Sequence, residues 1–147
     1  MTKVRDLIEP QIISSFICED IRQEISGKYS LGGVCGSVLY ADKLPVTLML
    51  GVILEAKFPK TGSFIGEIQV VSDQRIYYNS GFTYQVMTTA PFVIGVMPIS
   101  IVVQRAEEIK FQWRFGRGPW RTIRTIVLGL RSAQKTADLS LSPETIN

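Results

Sequence analysis

The sequence predicts an all-β chain that folds as a single-domain antiparallel β-sandwich of about seven to nine strands. Three observations predict this fold. Apolar and β-branched segments recur about every ten residues, turn-forming residues separate them, and no long amphipathic helical pattern lies between them. This pattern is typical of an antiparallel sandwich or barrel, and we favour the sandwich.

Strand signals in the first half of the chain fall in four segments: residues 11–18, 29–40, 46–58 and 64–72. A turn at Ser26 and Gly27 separates the first two segments. The third is bounded by Pro45 and Pro59, and Gly51 within it predicts a bent strand. The fourth alternates apolar and polar residues, which is the period of a half-buried strand.

Strand signals in the second half fall in five segments: residues 75–78, 82–88, 99–104, 109–115 and 120–130. A turn at residues 79–81 separates the first two. Pro91 and Pro98 frame an apolar segment, and prolines beside strands indicate a sheet edge. The last two segments form a hairpin whose aromatic residues all lie on one face and are expected in the core: Phe111, Trp113 and Phe115.

The domain organisation follows from where the apolar pattern stops. Residues 1–131 are expected to form the β-sandwich domain, and residues 132–147 a polar C-terminal tail or short helix. The charged opening, with no apolar stretch, predicts a cytoplasmic protein without a targeting segment. The longest apolar stretches are interrupted by proline and glycine and are too short for a membrane helix, so no membrane association is expected.

The two cysteines have one geometric interpretation that needs a structure to test. A two-residue turn at Ser26 and Gly27 would place Cys18 directly opposite Cys35. That register also sets charged residues opposite apolar ones, so a bulge or an irregular turn is an equal alternative. In a reducing compartment, free thiols are favoured over a disulfide between them.

Catalysis has little support, because the chain contains no histidine. This absence removes the commonest general base and every imidazole metal ligand. The acidic residues Asp20 and Glu24 could in principle serve acid/base chemistry, but a turn held by ion pairs is favoured. We therefore expect a protein that is not an enzyme and has no cofactor and no metal site.

Positive charge is concentrated near the C-terminus. Residues 109–135 contain seven basic residues and no acidic residue. Pairing Phe115 with Trp120 would place Arg114 opposite Arg121, where two guanidinium groups repel unless an anion, a carboxylate or water lies between them. The candidate binding residues are Lys110, Arg114, Arg117 and Arg121. A solvated face or a protein contact is favoured here over nucleic acid.

Residues 16–40 contain a motif of cysteine, charged residues and glycine. Its residues are Cys18, Glu19, Asp20, Arg22, Glu24, Gly27, Lys28, Leu31 and Gly33. With this motif, the stretch resembles the opening of a family of small, predominantly bacterial, functionally uncharacterised β-sandwich proteins. Cys35 stands where that family's pattern has an aromatic residue. The resemblance implies a compact β-sandwich and a structural turn, and it carries no activity.

The function expected from the sequence is a non-enzymatic binding or assembly module. Its partner would be another protein or a second copy of the chain. The proline-marked edges support this, as does an apolar segment made of Phe92, Val93, Ile94, Val96 and Met97. The alternative is a nucleic-acid-binding domain that uses the basic C-terminal hairpin.

Overall fold

The computed structural model describes residues 9–131, and within them the chain forms nine strands. The strands are β1 (Gln11–Gln23), β2 (Tyr29–Cys35), β3 (Val38–Ala41), β4 (Val46–Lys57), β5 (Gly62–Val71), β6 (Ile76–Val86), β7 (Phe92–Val103), β8 (Glu108–Phe115) and β9 (Arg121–Leu130).

The strands form two sheets that enclose one core, so the predicted all-β sandwich is confirmed. The first sheet has the order β2-β1-β4-β7 and the second has the order β3-β9-β8-β5-β6. Every pairing is antiparallel except that of β3 with β9, which is parallel. The predicted sheet edge is confirmed as well, because the proline-containing β7 lies at the edge of the first sheet.

Alternation along the strands builds the core. In β8, Phe111, Trp113 and Phe115 point inward and are at most 9% exposed, as the sequence predicts. Phe58, fully buried after β4, stacks on Phe92 of the first sheet and on Phe64 of the second. The aromatic contacts therefore join the two sheets, and burying such large rings is a main source of sandwich stability.

A second aromatic group lies on the core-facing side of the second sheet, between β8 and β6. The ring of Trp113 stacks on that of Tyr84, with centroids 5.5 Å apart and planes at 17°. Phe82 meets Tyr84 edge to face at 4.8 Å. Burial raises the pKa of the Tyr84 hydroxyl, because the apolar surroundings disfavour its charged form.

Two strand predictions are wrong. Residues 29–40 form two strands, β2 and β3, which lie in different sheets with Gly36 and Ser37 between them. Residues 79–81 lie in the middle of β6 and do not form a turn. At Gly36 and Ser37 the turn-forming residues interrupt the predicted strand, whereas at 79–81 the pairing of β6 with β5 overrides the local preference of asparagine, serine and glycine.

The described residues include no helix with the length and apolar character that a membrane span requires. The predicted tail at 132–147 lies outside the described residues.

Candidate binding cleft

The β1–β2 hairpin extends beyond the first sheet. β1 pairs with β4 from Gln11 as far as Cys18, and after that it pairs only with β2. We call residues 19–34 the arm. Freed from β4, the arm curves over the outer face of the first sheet, where the backbone N–H of Ile21 lies 3.3 Å from Met97 Sδ on β7.

Two glycines lie beneath the arm, and the close approach of the arm requires a glycine at Gly51. A Cβ on Gly51 would lie 2.8 Å from Ile21 Cδ1, which is closer than carbon atoms can approach. A Cβ on Gly95 would lie 3.7 Å from Ile21 Cγ2 and 3.9 Å from Tyr29 Cε1. Gly51 also lies at the register shift between β4 and β7. It is the glycine at which the sequence predicts a bend in this strand.

An open cleft of about 630 Å³ lies between the arm and the sheet. Its size falls in the range of about 300–1,000 Å³ that is common for ligand sites. Residues from the arm, β1, β4 and β7 line it: Ser14, Phe16, Gln23, Gly27, Lys28, Tyr29, Leu31, Ile53, Leu54, Glu55, Phe92 and Val93.

The floor of the cleft consists of two rows of paired residues. In the first row, Phe16 pairs with Ile53 across β1 and β4. In the second, Glu55 lies between Ser14 on β1 and Val93 on β7. Phe16 and Val93 remain 41% and 39% exposed, whereas Ile53 is 6% exposed. The floor is thus covered at Ile53 and open to solvent on either side.

The cleft carries opposite charges on different elements. Lys28 is on the arm and exposed, and Glu55 is on the floor and half-buried. No ion pair joins these two side chains within the described residues. Arg124 of β9 brings its guanidinium carbon to 5.9 Å from the centre of the Phe16 ring. An occupant would therefore meet apolar walls with a few fixed charges, which is the usual composition of a binding site.

The residues of the family-like turn motif hold the arm together. Arg22 Nε lies 2.7 Å from Asp20 Oδ2, and Ser30 Oγ donates to Glu24 Oε1 at 2.6 Å. The Glu24 amide donates to the Lys28 carbonyl at 2.7 Å. The candidate acids Asp20 and Glu24 are thus engaged within the arm, as a turn held by local contacts would be.

Glycines complete the arm. Gly27 has a φ of 84°, which suits the turn between the strands. Gly33 has a φ of 59°, and a Cβ there would lie 2.7 Å from Glu19 Oε2. Glu19 therefore packs against the space that Gly33 leaves.

The two cysteines do not face each other, and the favoured interpretation, free thiols, is confirmed. The turn contains Ile25 in addition to Ser26 and Gly27, so Cys35 pairs with Ile17, and Cys18 pairs with Val34. Adjacent positions on a strand point to opposite faces, which separates the two sulfur atoms. Both thiols are free and buried, and burial raises the pKa of each.

The predicted pairing of Arg114 with Arg121 is wrong as well. A register shift between Phe111 and Gln112 places Arg121 opposite Trp113. Each arginine instead meets a carboxylate. Arg114 Nη2 lies 2.7 Å from Glu67 Oε2, and Arg121 Nη2 lies 3.2 Å from Glu9 Oε2.

Of the other two candidate residues in this hairpin, Lys110 forms an ion pair and Arg117 lies in the turn. Lys110 Nζ lies 3.8 Å from Glu108 Oε1, and Arg117 is exposed in the turn between β8 and β9. The guanidinium of Arg114 also covers the Trp120 ring, at 4.6 Å from its centre. The local excess of positive charge is thus partly neutralised by Glu108 on the same strand, by Glu67 of β5 and by Glu9 before β1.

Most of the cleft residues were missed by sequence reasoning. Only Gly27, Lys28 and Leu31 were singled out in the turn motif, and Phe92 and Val93 in the apolar segment. The available signal was that Gly51 and Gly95 interrupt two otherwise apolar strands. Isolated glycines in strands often mark the close approach of another backbone or side chain.

The chain matches no known protein-family model and no curated protein sequence. The resemblance seen in residues 16–40 therefore stays a prediction. Among residues 9–131, no three histidine, cysteine, aspartate or glutamate side chains come together in a way that could hold a metal ion.

Proposed function

We propose that this protein is a non-enzymatic binding module that holds an extended segment of a protein partner in the cleft beneath the arm. The observation that carries the proposal is the cleft itself. It has apolar walls, and apolar side chains of its floor are partly exposed to solvent. It also has opposite charges at Lys28 and Glu55. An extended chain matches such a groove, because its apolar side chains can enter while its charged side chains meet the fixed charges.

The composition of the cleft favours binding over catalysis. Its lining contains one carboxylate, Glu55, and no cysteine. General acid/base chemistry needs proton donors and acceptors placed together, and the whole chain offers no histidine for that role. Apolar side chains that stay exposed, such as Phe16 and Val93, are in contrast typical of contact surfaces.

The nucleic-acid alternative has weaker support. Lys110, Arg114 and Arg121 each lie within 4 Å of a carboxylate, so phosphate groups would compete with an existing partner. Counterion release, which drives nucleic-acid binding, is correspondingly smaller for a cation that is already paired.

The test is a selection of short peptides from a randomised display library on the full chain. Selected peptides are then measured by fluorescence anisotropy against the wild type, Val93→Lys and Phe16→Ala. We expect each substitution to weaken binding about tenfold or more, which corresponds to about 1.4 kcal/mol. Amide chemical-shift changes should fall on β1, β4, β7 and the arm.

The matched control is Ile65→Lys, which introduces the same charge at a residue 63% exposed on the second sheet. It should leave peptide binding unchanged. Selection that yields no peptide, or peptides that bind Val93→Lys as well as the wild type, would overturn the proposal.

A further inference from the structure

The two sheets end in four edge strands: β2 and β7 in the first sheet, and β3 and β6 in the second. An edge strand presents unpaired backbone N–H and C=O groups that can pair with another chain. Proteins usually block such edges with charged residues, proline, irregular backbone or very short strands. None of these four strands contains a charged residue. Their protection therefore depends on proline, irregular backbone or short length.

Three of the edges carry such a device. β2 contains Gly33, whose positive φ of 59° interrupts regular strand geometry. β3 is four residues long. β7 contains Pro98, which has no N–H to donate, and its pairing with β4 shifts register. Each of these edges is a poor template for another strand.

β6 has no proline and no residue of positive φ, and its one register shift lies at its first residues. It runs for eleven residues without proline or charge, and all its φ angles have the ordinary negative sign for a strand. Its pairing with β5 is regular from Gly62 to Val70, and the register shifts only at Val71, near the start of β6. The longest unprotected edge in the described part of the chain is therefore β6.

The side chains of β6 also leave the edge accessible. After the register shift at Ile76 and Tyr77, where Ile76 is 66% exposed, the outward row has only short or polar side chains, and every member is exposed: Asn79, Gly81, Thr83 and Gln85. The alternate row faces the core and is half-buried or buried: Tyr78, Ser80, Phe82, Tyr84 and Val86.

We propose that β6 pairs with β6 of a second copy of this chain, antiparallel and centred on Gly81. An antiparallel pair of identical strands satisfies a two-fold axis, in which the same surface meets itself. Such a contact brings like charges together unless the strand is uncharged, and β6 is uncharged. Gly81 is the midpoint of Ile76–Val86, so pairing over the full strand places Asn79 opposite Thr83 of the partner.

The product is a dimer in which two five-stranded sheets become one continuous sheet. Side chains at opposed positions lie on the same face, so Asn79 and Thr83 meet on the outer face, where short polar pairs are favourable. The contact uses only the second sheet. The cleft beneath the arm belongs to the first sheet and stays open in both copies.

The test is the mass in solution, measured by light scattering after size exclusion over a wide concentration range. The wild type should have twice the mass of one chain. Asn79→Lys/Thr83→Lys should raise the dimer dissociation constant at least tenfold, because four ammonium groups then meet across the axis. Mixing this variant with Asn79→Glu/Thr83→Glu should restore the dimer, because opposite charges then face each other.

The matched control is Ser100→Lys/Val102→Lys on β7, which adds the same charge to the outer row of a protected edge. It should leave the mass at two chains. A wild type that is monomeric throughout, or a double-lysine variant that dimerises as well as the wild type, would overturn the proposal. Restoration by mixing excludes misfolding as the cause of dissociation, since misfolded chains do not recover specific pairing.

Discussion

The β1–β2 and β8–β9 hairpins differ in how their charged residues are used. The β8–β9 hairpin lies within the second sheet, with Phe111 and Trp113 in the core and Arg114 paired to Glu67 of the neighbouring strand. The β1–β2 hairpin leaves its sheet after Cys18, and its charged groups pair within the arm itself, as Asp20 does with Arg22. One hairpin is held by its neighbours, and the other is held mainly by its own contacts.

Because of this difference, the two hairpins should open in different ways. A hairpin paired on both sides and packed on one face can open only when the whole domain unfolds. A hairpin that leaves its sheet and rests on a few side chains, chiefly Ile21 and Tyr29, can open locally. The arm is therefore the part of the described chain best suited to admit a partner.

The largest expected effect concerns the core of the β8–β9 hairpin. Phe111→Ala should lower the free energy of unfolding by about 3–5 kcal/mol, because Phe111 is fully buried and the change leaves a cavity. Urea denaturation followed by circular dichroism measures this effect. Hydrogen exchange should quicken throughout both sheets. Quickening restricted to β8 and β9 would contradict the view that this hairpin is part of the global core.

The next effect concerns the arm. Gly51→Val should cost about 1–3 kcal/mol, because the new side chain overlaps Ile21. Hydrogen exchange should quicken mainly in residues 19–34, since the arm can move away while the sheet stays intact. Gly36→Val is the matched control, because a Cβ there meets no atom within 4 Å. Unchanged exchange in the arm of the Gly51 variant would show that the arm is not held at this point.

A smaller effect tests the charges of the β8–β9 hairpin. Arg114→Gln/Arg121→Gln should change the affinity for a short DNA duplex by less than tenfold, because both guanidinium groups already lie against carboxylates. Anisotropy titrations at several salt concentrations measure it. A collapse of salt-dependent binding in this variant would instead support the nucleic-acid alternative.

The smallest effect concerns the cysteines at the base of the arm. Burial raises the pKa of Cys18 and Cys35 above the ordinary 9.0, so little reactive thiolate is present near pH 8. Alkylation by iodoacetamide should be slow at that pH and should accelerate as the pH rises above 9. Cys18, whose thiol lies 3.8 Å from the Gly51 carbonyl, should react faster in Gly51→Val. Rapid alkylation of the wild type at pH 7 would contradict the buried environment.

Alternation made much of the fold predictable. The apolar row of β8 and the half-buried period of β5 depend on neighbours in sequence, so a strand's inward face can be inferred from the chain alone. The edge position of β7 was predictable for a similar local reason. Proline has no N–H to donate to a neighbouring strand and is therefore found mainly at sheet edges.

The site depends on contacts between distant parts of the chain, which local patterns do not encode. Ile21 meets Gly51 and Gly95, and Arg121 meets Glu9, in each case across many residues of sequence. One extra residue in the β1–β2 turn and one register shift in the β8–β9 hairpin also changed which side chains face each other. A shift of one position moves a side chain to the other face of a strand, so small errors in register displace a whole predicted site.

The two tryptophans of the chain occupy contrasting surroundings. Trp113 is 3% exposed and stacked on Tyr84, whereas Trp120 lies beneath the guanidinium of Arg114 and is half-buried. Trp113 should therefore emit at shorter wavelengths than Trp120. The intrinsic fluorescence of the chain thus contains one component that follows the integrity of the core and one that follows the outer face of the second sheet. Replacing either indole by phenylalanine gives a reporter for one of these two regions without an added label.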